Sequence, residues 1–488
     1  VNKAPSTVSL VSGTNPSTVG GSVTFTATVT AGATGTVSFL DGSTTIGTGT
    51  ISGGVATFTT SALAQGTHSM TASYAGDANY NTSTSSAVSQ VVNIGSSSVS
   101  VVSDTNPSVF GNFVRFTATI SPGDATGTVT FKNGSTTIGT GVISNGSTSF
   151  TTSLLSVGTH SITATYNGDS TYNASTSAAV SQVVNKAPTT ISLVSGTNPS
   201  TVGGPVTFTA TVSPSAAVGT VSFVRGTTTI GTAVISGGVA TLTTSILSVG
   251  THSMTAVYGG DTNHNTSTSN AVSQVVNKQS TTLSLVSGTN PSLVGGSVTF
   301  TATVSPGGAT GNVTFIDGST TIGTGVISGG VATFTTSALA VGTHSVTAVY
   351  AGDANYLTST SSAVSQVVNK ISTTLTLVSG TNPSITGGSV TFTATVSPGA
   401  AAGTVSFIDG STTIGTGVIS AGVATFTTSA LAVGTHSMTA SYGGDANYLT
   451  STSSAVSQVV NKAPTTVSLV AGTNPSTVGG SVTFTATV

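Results

Sequence analysis

The strongest constraint on this chain is a repeat. The tetrapeptide Gly-Thr-His-Ser places histidine at His68, His160, His252, His344 and His436, always 92 residues apart. A Gly-Asp pair keeps the same period through Asp77, Asp169, Asp261, Asp353 and Asp445. Thr-Asn-Pro places Pro16, Pro107, Pro199, Pro291, Pro383 and Pro475, with a first step of 91 that one extra residue before Gly127 restores. Residues 279–370 and 371–462 differ at only 12 of 92 positions. Length alone would suggest about three domains. The repeat instead divides the chain into the end of a preceding repeat (1–3), five complete repeats (4–94, 95–186, 187–278, 279–370, 371–462) and a partial sixth (463–488). A 92-residue period is too long for a solenoid, whose units cannot bury their own faces. It matches one small all-β domain, self-sufficient although it buries only about 60–68% of its unfolded surface.

The fourth copy shows how such a unit folds. In Ser297–Val304 the residues Val298, Phe300, Ala302 and Val304 alternate with Thr299, Thr301 and Thr303. That is a half-buried strand with a hydroxyl outer face. Leu283 and Leu285 alternate with Thr282 and Ser284 before the loop Gly288-Thr289-Asn290-Pro291. Val313 and Phe315 lead to an Asp317-Gly318 turn signal. Ile322–Val326 reads as a fourth strand, and Ala332 with Phe334 as a fifth. The sixth carries His344, Val346, Ala348 and Tyr350 on one face, and the last runs from Ala363 to Val368. About seven strands with turns every 8–12 residues predict an all-β fold, a tandem array of immunoglobulin-like two-sheet sandwiches. A closed barrel is the less favoured alternative.

The run Val-Thr-Phe-x-Asp-Gly-Ser-Thr-Thr-Ile-Gly-Thr at 313–324, Gly-Thr-His-Ser at 342–345 and Tyr-x-Gly-Asp-x-Asn-Tyr at 350–356 resembles the bacterial Ig-like domain repeats of large surface proteins. The resemblance spans the chain five times over. It implies stalk, spacer or adhesin material and no particular activity. The Cys…Trp…Cys core of antibody domains is absent, so Phe, Val, Leu and Tyr packing must replace it.

Composition narrows the function. Only 4% of the residues are charged, with 8 Lys+Arg against 10 acids, every one of them Asp, and there is no Cys or Trp. Scattered cations cannot neutralise a phosphate backbone, so no nucleic-acid partner is expected. Disulfides, thiolate metal sites and Cys nucleophiles are excluded. Scarce Glu, Lys and Arg exclude long salt-laced helices. No run of 18 apolar residues offers a transmembrane segment, and no secretory leader is visible. Val1-Asn2-Lys3 matches the end of a unit and Ala463–Val488 the start of one, so the sequence reads as a window from something longer.

No catalytic, cofactor-binding or metal-binding residue is assigned. The five histidines stand one per domain at the mouth of the sixth strand and cannot chelate one ion together. His264 replaces the tyrosine found at Tyr80, Tyr172, Tyr356 and Tyr448. The Gly-Asp-x-Asn segment reads as a turn in which the carboxylate bonds to backbone two residues on. Calcium would want six to eight oxygens, yet the second aspartate of each unit is not kept: Asp41, Asp317 and Asp409 correspond to Asn133 and Arg225. Lys3, Lys186, Lys278, Lys370 and Lys462 stand at unit junctions, Ile94 replacing one, and read as solvated linker charges rather than isopeptide donors. No Gly-x-Ser-x-Gly elbow sits on a strand-to-helix turn.

The expected function is therefore structural and non-enzymatic: an extracellular or cell-surface rod, filament or matrix component. At about 3.3 Å rise per strand residue, each unit spans about 35–45 Å and five reach roughly 200 Å. Short junctions favour a stiff array. Near-zero net charge and weakly guarded edge strands favour self-association into a fibre, or continuation with further repeats. Two strands alone are marginal in water, so the partial sixth repeat needs partner strands from the same chain or a neighbour. The alternative is an adhesin segment binding glycan or another surface through Ser/Thr-rich faces.

Overall fold

The computed structural model describes all 488 residues, and every regular element in it is a β-strand. No helix is long and apolar enough to cross a membrane. By internal contacts the chain divides into two bodies. One comprises Val1–Asn198, Pro205–Thr244 and His252–Gln274; the other comprises Pro199–Gly204, Ser245–Thr251 and Val275–Val488. The first and second repeats lie whole in one, the fourth and fifth whole in the other.

The first repeat shows the common plan. Its strands are β1 (Val8–Ser12), β2 (Ser17–Thr18), β3 (Val23–Val29), β4 (Thr36–Asp41), β5 (Thr44–Thr50), β6 (Val55–Thr60), β7 (Gly66–Tyr74), β8 (Ser83–Thr84) and β9 (Val88–Asn93). One sheet has the order β1-β3-β6 and the other β2-β9-β7-β4-β5, with β8 paired to β7. Pairing is antiparallel except for β2 alongside β9. The expected seven strands are thus present, joined by two dipeptide strands too short to show any alternation. The second, fourth and fifth repeats reproduce both sheets strand for strand.

Alternation decides which face is buried. In β3, Val23, Phe25, Ala27 and Val29 point inward while Thr24, Thr26 and Thr28 face out. They meet Val37 and Phe39 of β4 and Met70, Ala72 and Tyr74 of β7 in one core. Burying each large side chain contributes about 1.5–3 kcal/mol, and no disulfide is available to assist. Phe39 and Phe58 stack with centroids 5.7 Å apart, bridging the two sheets. The Asp-Gly signal becomes a tight turn between β4 and β5: Asp41 pairs with Thr44, and Gly42 takes φ 61°, a left-handed value that suits glycine. The fourth copy follows its reading closely, with strands at Thr282–Ser287, Val298–Ser305, Asn312–Asp317, Thr320–Val326, Val331–Thr336, Gly342–Tyr350 and Val364–Asn369.

Residues 463–488 form one antiparallel pair, Ser468–Ala471 with Phe484–Thr487. Leu469, Val470 and Phe484 lie exposed on it.

Candidate functional site

Polar side chains gather in each repeat at three places, and each ties loops to strands. The first is the Gly-Thr-His-Ser histidine. His344 sits on the inward face of its strand, two residues before buried Val346. Asp317 pairs with Val346 across the sheet, so the His344 ring is its diagonal neighbour on one face. Its Nδ1 lies 2.7 Å from the Asp317 carboxylate and its Nε2 2.8 Å from the carbonyl of Ala340. Both partners are acceptors, an arrangement that favours the ring with a proton on each nitrogen. The Ala340 carbonyl, and after it Asp317, raise the His344 pKa against the lowering effect of burial. His68 with Asp41 and Ala64, and His436 with Asp409 and Ala432, repeat the arrangement. In the second repeat, Asn133 Nδ2 donates to His160 Nδ1, leaving Nε2–H to donate to Ser156 O.

The second cluster is the Gly-Asp turn. Asp77 Oδ1 accepts the backbone N–H groups of Asn79 and Tyr80. Its Oδ2 accepts the N–H and hydroxyl of Thr34, from a loop 43 residues away. Backbone donation from Thr34 and Asn79 holds the Asp77 carboxyl far below the usual range. In the third repeat the Tyr258 hydroxyl donates to the carboxylate of Asp261 and to Val218 O. Burial and then Asp261 push the Tyr258 hydroxyl up to about 12. The aspartate therefore joins two loops in addition to forming its own turn.

The third cluster was not anticipated from the sequence. Gln90, Gln182, Gln274, Gln366 and Gln458 are fully buried. Gln366 Nε2 donates to Thr289 O and Ser292 Oγ, and its Oε1 accepts from Ser287 Oγ. Beside it Asn290 Nδ2 donates to Ser365 O while Asn290 Oδ1 accepts Val367 N–H. The Thr-Asn-Pro loop is thereby bound along the last strand. A signal was present: glutamine recurs on the inward side of Val-Ser-Gln-Val-Val-Asn, between two valines of the same face.

The junction lysines have partners as well. Lys186 and Lys278 donate from Nζ to the backbone carbonyls of Asp261 and Asp353, each at 2.5 Å, and Lys370 does so to Asp445. Each lysine thus binds the Gly-Asp turn of the domain it leads into. The last main-chain bond of one domain and the first of the next are separated by a single residue. Asn369 O accepts from Val294 N, and Ile371 N donates to Asn447 O, leaving only Lys370 between them. Asn93 and Gly95 flank Ile94 in the same way, and Asn185 and Ala187 flank Lys186. A recess at one junction is lined by Leu293, Thr343, Asn369, Lys370 and Leu449, with no aromatic or acidic side chain among its walls.

No group of three or more His or Asp side chains comes together in metal-binding proximity. The outer face of the three-stranded sheet carries Thr24 opposite Thr59 and Thr26 opposite Thr57, flanked by Val11. Thr24 and Thr59 hydroxyls lie 2.9 Å apart, and Thr299 with Thr335 and Thr391 with Thr427 repeat the pair.

Comparison with known proteins places this geometry. The family described as bacterial Ig-like domain (group 3) matches five times, at residues 10–93, 101–185, 193–277, 285–369 and 376–461. No curated protein sequence matches the chain. Among solved structures, the fibronectin(III)-like modules of Clostridium thermocellum CbhA are 18% identical, covering 36% of this chain and 92% of that one at a TM-score of 0.17. The ICAM-5 D1–D4 ectodomain fragment is 13% identical, covering 74% of this chain and 99% of that one at 0.30. The I9–I11 tandem from titin is 13% identical, covering 56% and 100% at 0.20.

Proposed function

The chain belongs to the bacterial Ig-like domain family of group 3, and from that premise we propose that it is a structural extracellular protein. Its five sandwiches would run end to end as a cell-surface stalk, filament or matrix component. The observation that carries this reading is the single-residue junction. With Asn369 bonded into one domain and Ile371 into the next, little free chain is left to act as a swivel. The pinned histidines and aspartates support the same reading. Their acceptor and donor positions are already filled by loops of their own domain, so we propose no reaction for them. Further copies of the domain, in the same chain or a neighbouring one, are the proposed partners.

Small-angle scattering of the whole chain tests the proposal. An extended array of five sandwiches gives a largest dimension of roughly 200 Å, from about 3.3 Å rise per strand residue. A compact particle of half that dimension would refute it. The uncharged threonine face supports a second role, attachment to a hydroxyl-rich surface. Retention of the chain on insoluble polysaccharide, lost when Thr24, Thr26 and Thr28 and their equivalents are changed to Lys, would establish that role over a passive stalk.

A further inference from the structure

Two residues break the repeat at places that meet each other. Where the first, third and fourth repeats carry Val19, Val202 and Val294, the second carries Phe110. Where the other repeats carry tyrosine, the third carries His264. The two rings lie edge to face, with centroids 6.0 Å apart and planes at 79°, a geometry in which aromatic pairs attract. His264 is 5% exposed, whereas Tyr80, Tyr172, Tyr356 and Tyr448 are only half-buried.

Each ring is anchored in its own domain. Both carboxylate oxygens of Asp261 lie 2.9 Å from His264 Nδ1. Phe110 packs on the core of the second repeat, and its N–H donates to Asn185 O. The connecting chain is equally restrained. Between the bonded Asn185 and Ala187, the Lys186 carbonyl accepts from Asn265 Nδ2 and its ammonium is held by Asp261 O. Pro188 follows and lines the same contact as Phe110 and His264; its ring fixes φ. The equivalent positions at the other three junctions between complete repeats are Ser96, Ser280 and Ser372.

We infer that the second and third repeats form a fixed pair, docked through Phe110 and His264, within an array whose other junctions carry valine or threonine in place of that phenylalanine. The neighbouring domain is the partner this surface fits, whether the array serves as stalk or as adhesin.

The chain has no cysteine, so spin labels can be placed at will. S149C with T241C reports on the second and third repeats; T333C with T425C reports on the equivalent exposed sites of the fourth and fifth. Pulsed dipolar measurements on the full chain should give a narrower distance distribution for the first pair of labels. Phe110→Val, using a residue three other repeats already accommodate, should broaden that distribution alone. The ratio of docked to undocked population should fall about 2- to 13-fold, the equilibrium factor of one aromatic pair. His264→Ala should act alike, and the double variant should broaden it no further than either single one. Equal widths for the two pairs in the native chain would overturn the inference. So would an unchanged width in Phe110→Val, or a broadening of both pairs together.

Discussion

Replacing the buried glutamine of the second repeat tests whether the Thr-Asn-Pro loop is held by that amide or merely lies near it. Gln182 is fully buried; its Nε2 donates to Thr105 O at 3.0 Å, Ser108 Oγ at 3.1 Å and Val183 O at 3.0 Å, and its Oε1 accepts Ser103 Oγ at 2.6 Å. Gln182→Met keeps length and approximate volume, so packing is largely preserved. Thr105 and Ser103 lie near enough to solvent to find water, whereas Ser108 is 2% exposed. Four bonds worth about 0.5–1.5 kcal/mol each, two of them recoverable through water, leave a cost of about 1–3 kcal/mol. For a domain of this size that lowers the melting temperature by about 4–24 °C. The second repeat is the most divergent in sequence, so hydrogen exchange read by mass spectrometry can follow its own peptides within the full chain. Ser98–Ser121 and Val180–Asn185 should lose protection while peptides of the fourth and fifth repeats do not. A loss below about 0.5 kcal/mol, within the usual range of surface substitutions, would refute the clamp.

Two further outcomes follow from the same geometry. The pKa values of His68, His344 and His436 are raised above the ordinary 6.5 in the folded state, so their contribution is complete below pH 6.5 and is lost as pH rises through the folded value. Melting of the chain followed by circular dichroism should move to lower temperature across that interval, and Asp317→Asn, which copies the His160–Asn133 pair of the second repeat, should remove the share of the fourth; a pH-independent melt would disprove the charged pair. Gly323→Ala would place its Cβ 2.1 Å from the Phe334 ring, costing about 1–3 kcal/mol of overpacking. Adding Phe334→Leu, as Leu242 stands over Gly231 in the third repeat, should recover part of that loss in a calorimetric melt, and an equal cost in both backgrounds would show that the ring is not the obstacle.

The sandwich was legible because alternation is a local property. Val298, Phe300, Ala302 and Val304 announce an inward face within eight residues, and Asp317-Gly318 announces a turn within two. The long-range ties were less legible. Asp353 bonds Thr310, 43 residues away, and His344 bonds Asp317, 27 residues away; neither distance has a sequence period of its own. The variation of Asp317 to Asn133 and Arg225 was visible, but only strand register shows that it occurs opposite a histidine. Gln366 is hard to find in the sequence because a single polar residue in a strand ordinarily marks the outer face, and here it marks a buried amide with both polar atoms engaged. The sequence predicts solvated junction lysines, since nothing in Asn-Lys shows a carbonyl waiting in the next domain.

All ten aspartates of this chain are engaged inside their own domains. Five aspartates hold the Gly-Asp turns, and three more face histidines. Three of the junction lysines bind main-chain carbonyls. Asp104 bonds the Arg115 backbone, and Asp124 accepts from Tyr172. A cationic partner recognised through these carboxylates would therefore compete with bonds that hold loops in place. What remains free and repeated is the outer face of the three-stranded sheet, uncharged threonine against threonine with an exposed valine beside it except where Arg115 stands opposite Thr151 in the second repeat. Contacts made through that surface would rest on hydroxyl bonding and methyl burial, which salt screens little, so attachment through it should persist at ionic strengths that abolish contacts made by exposed charge.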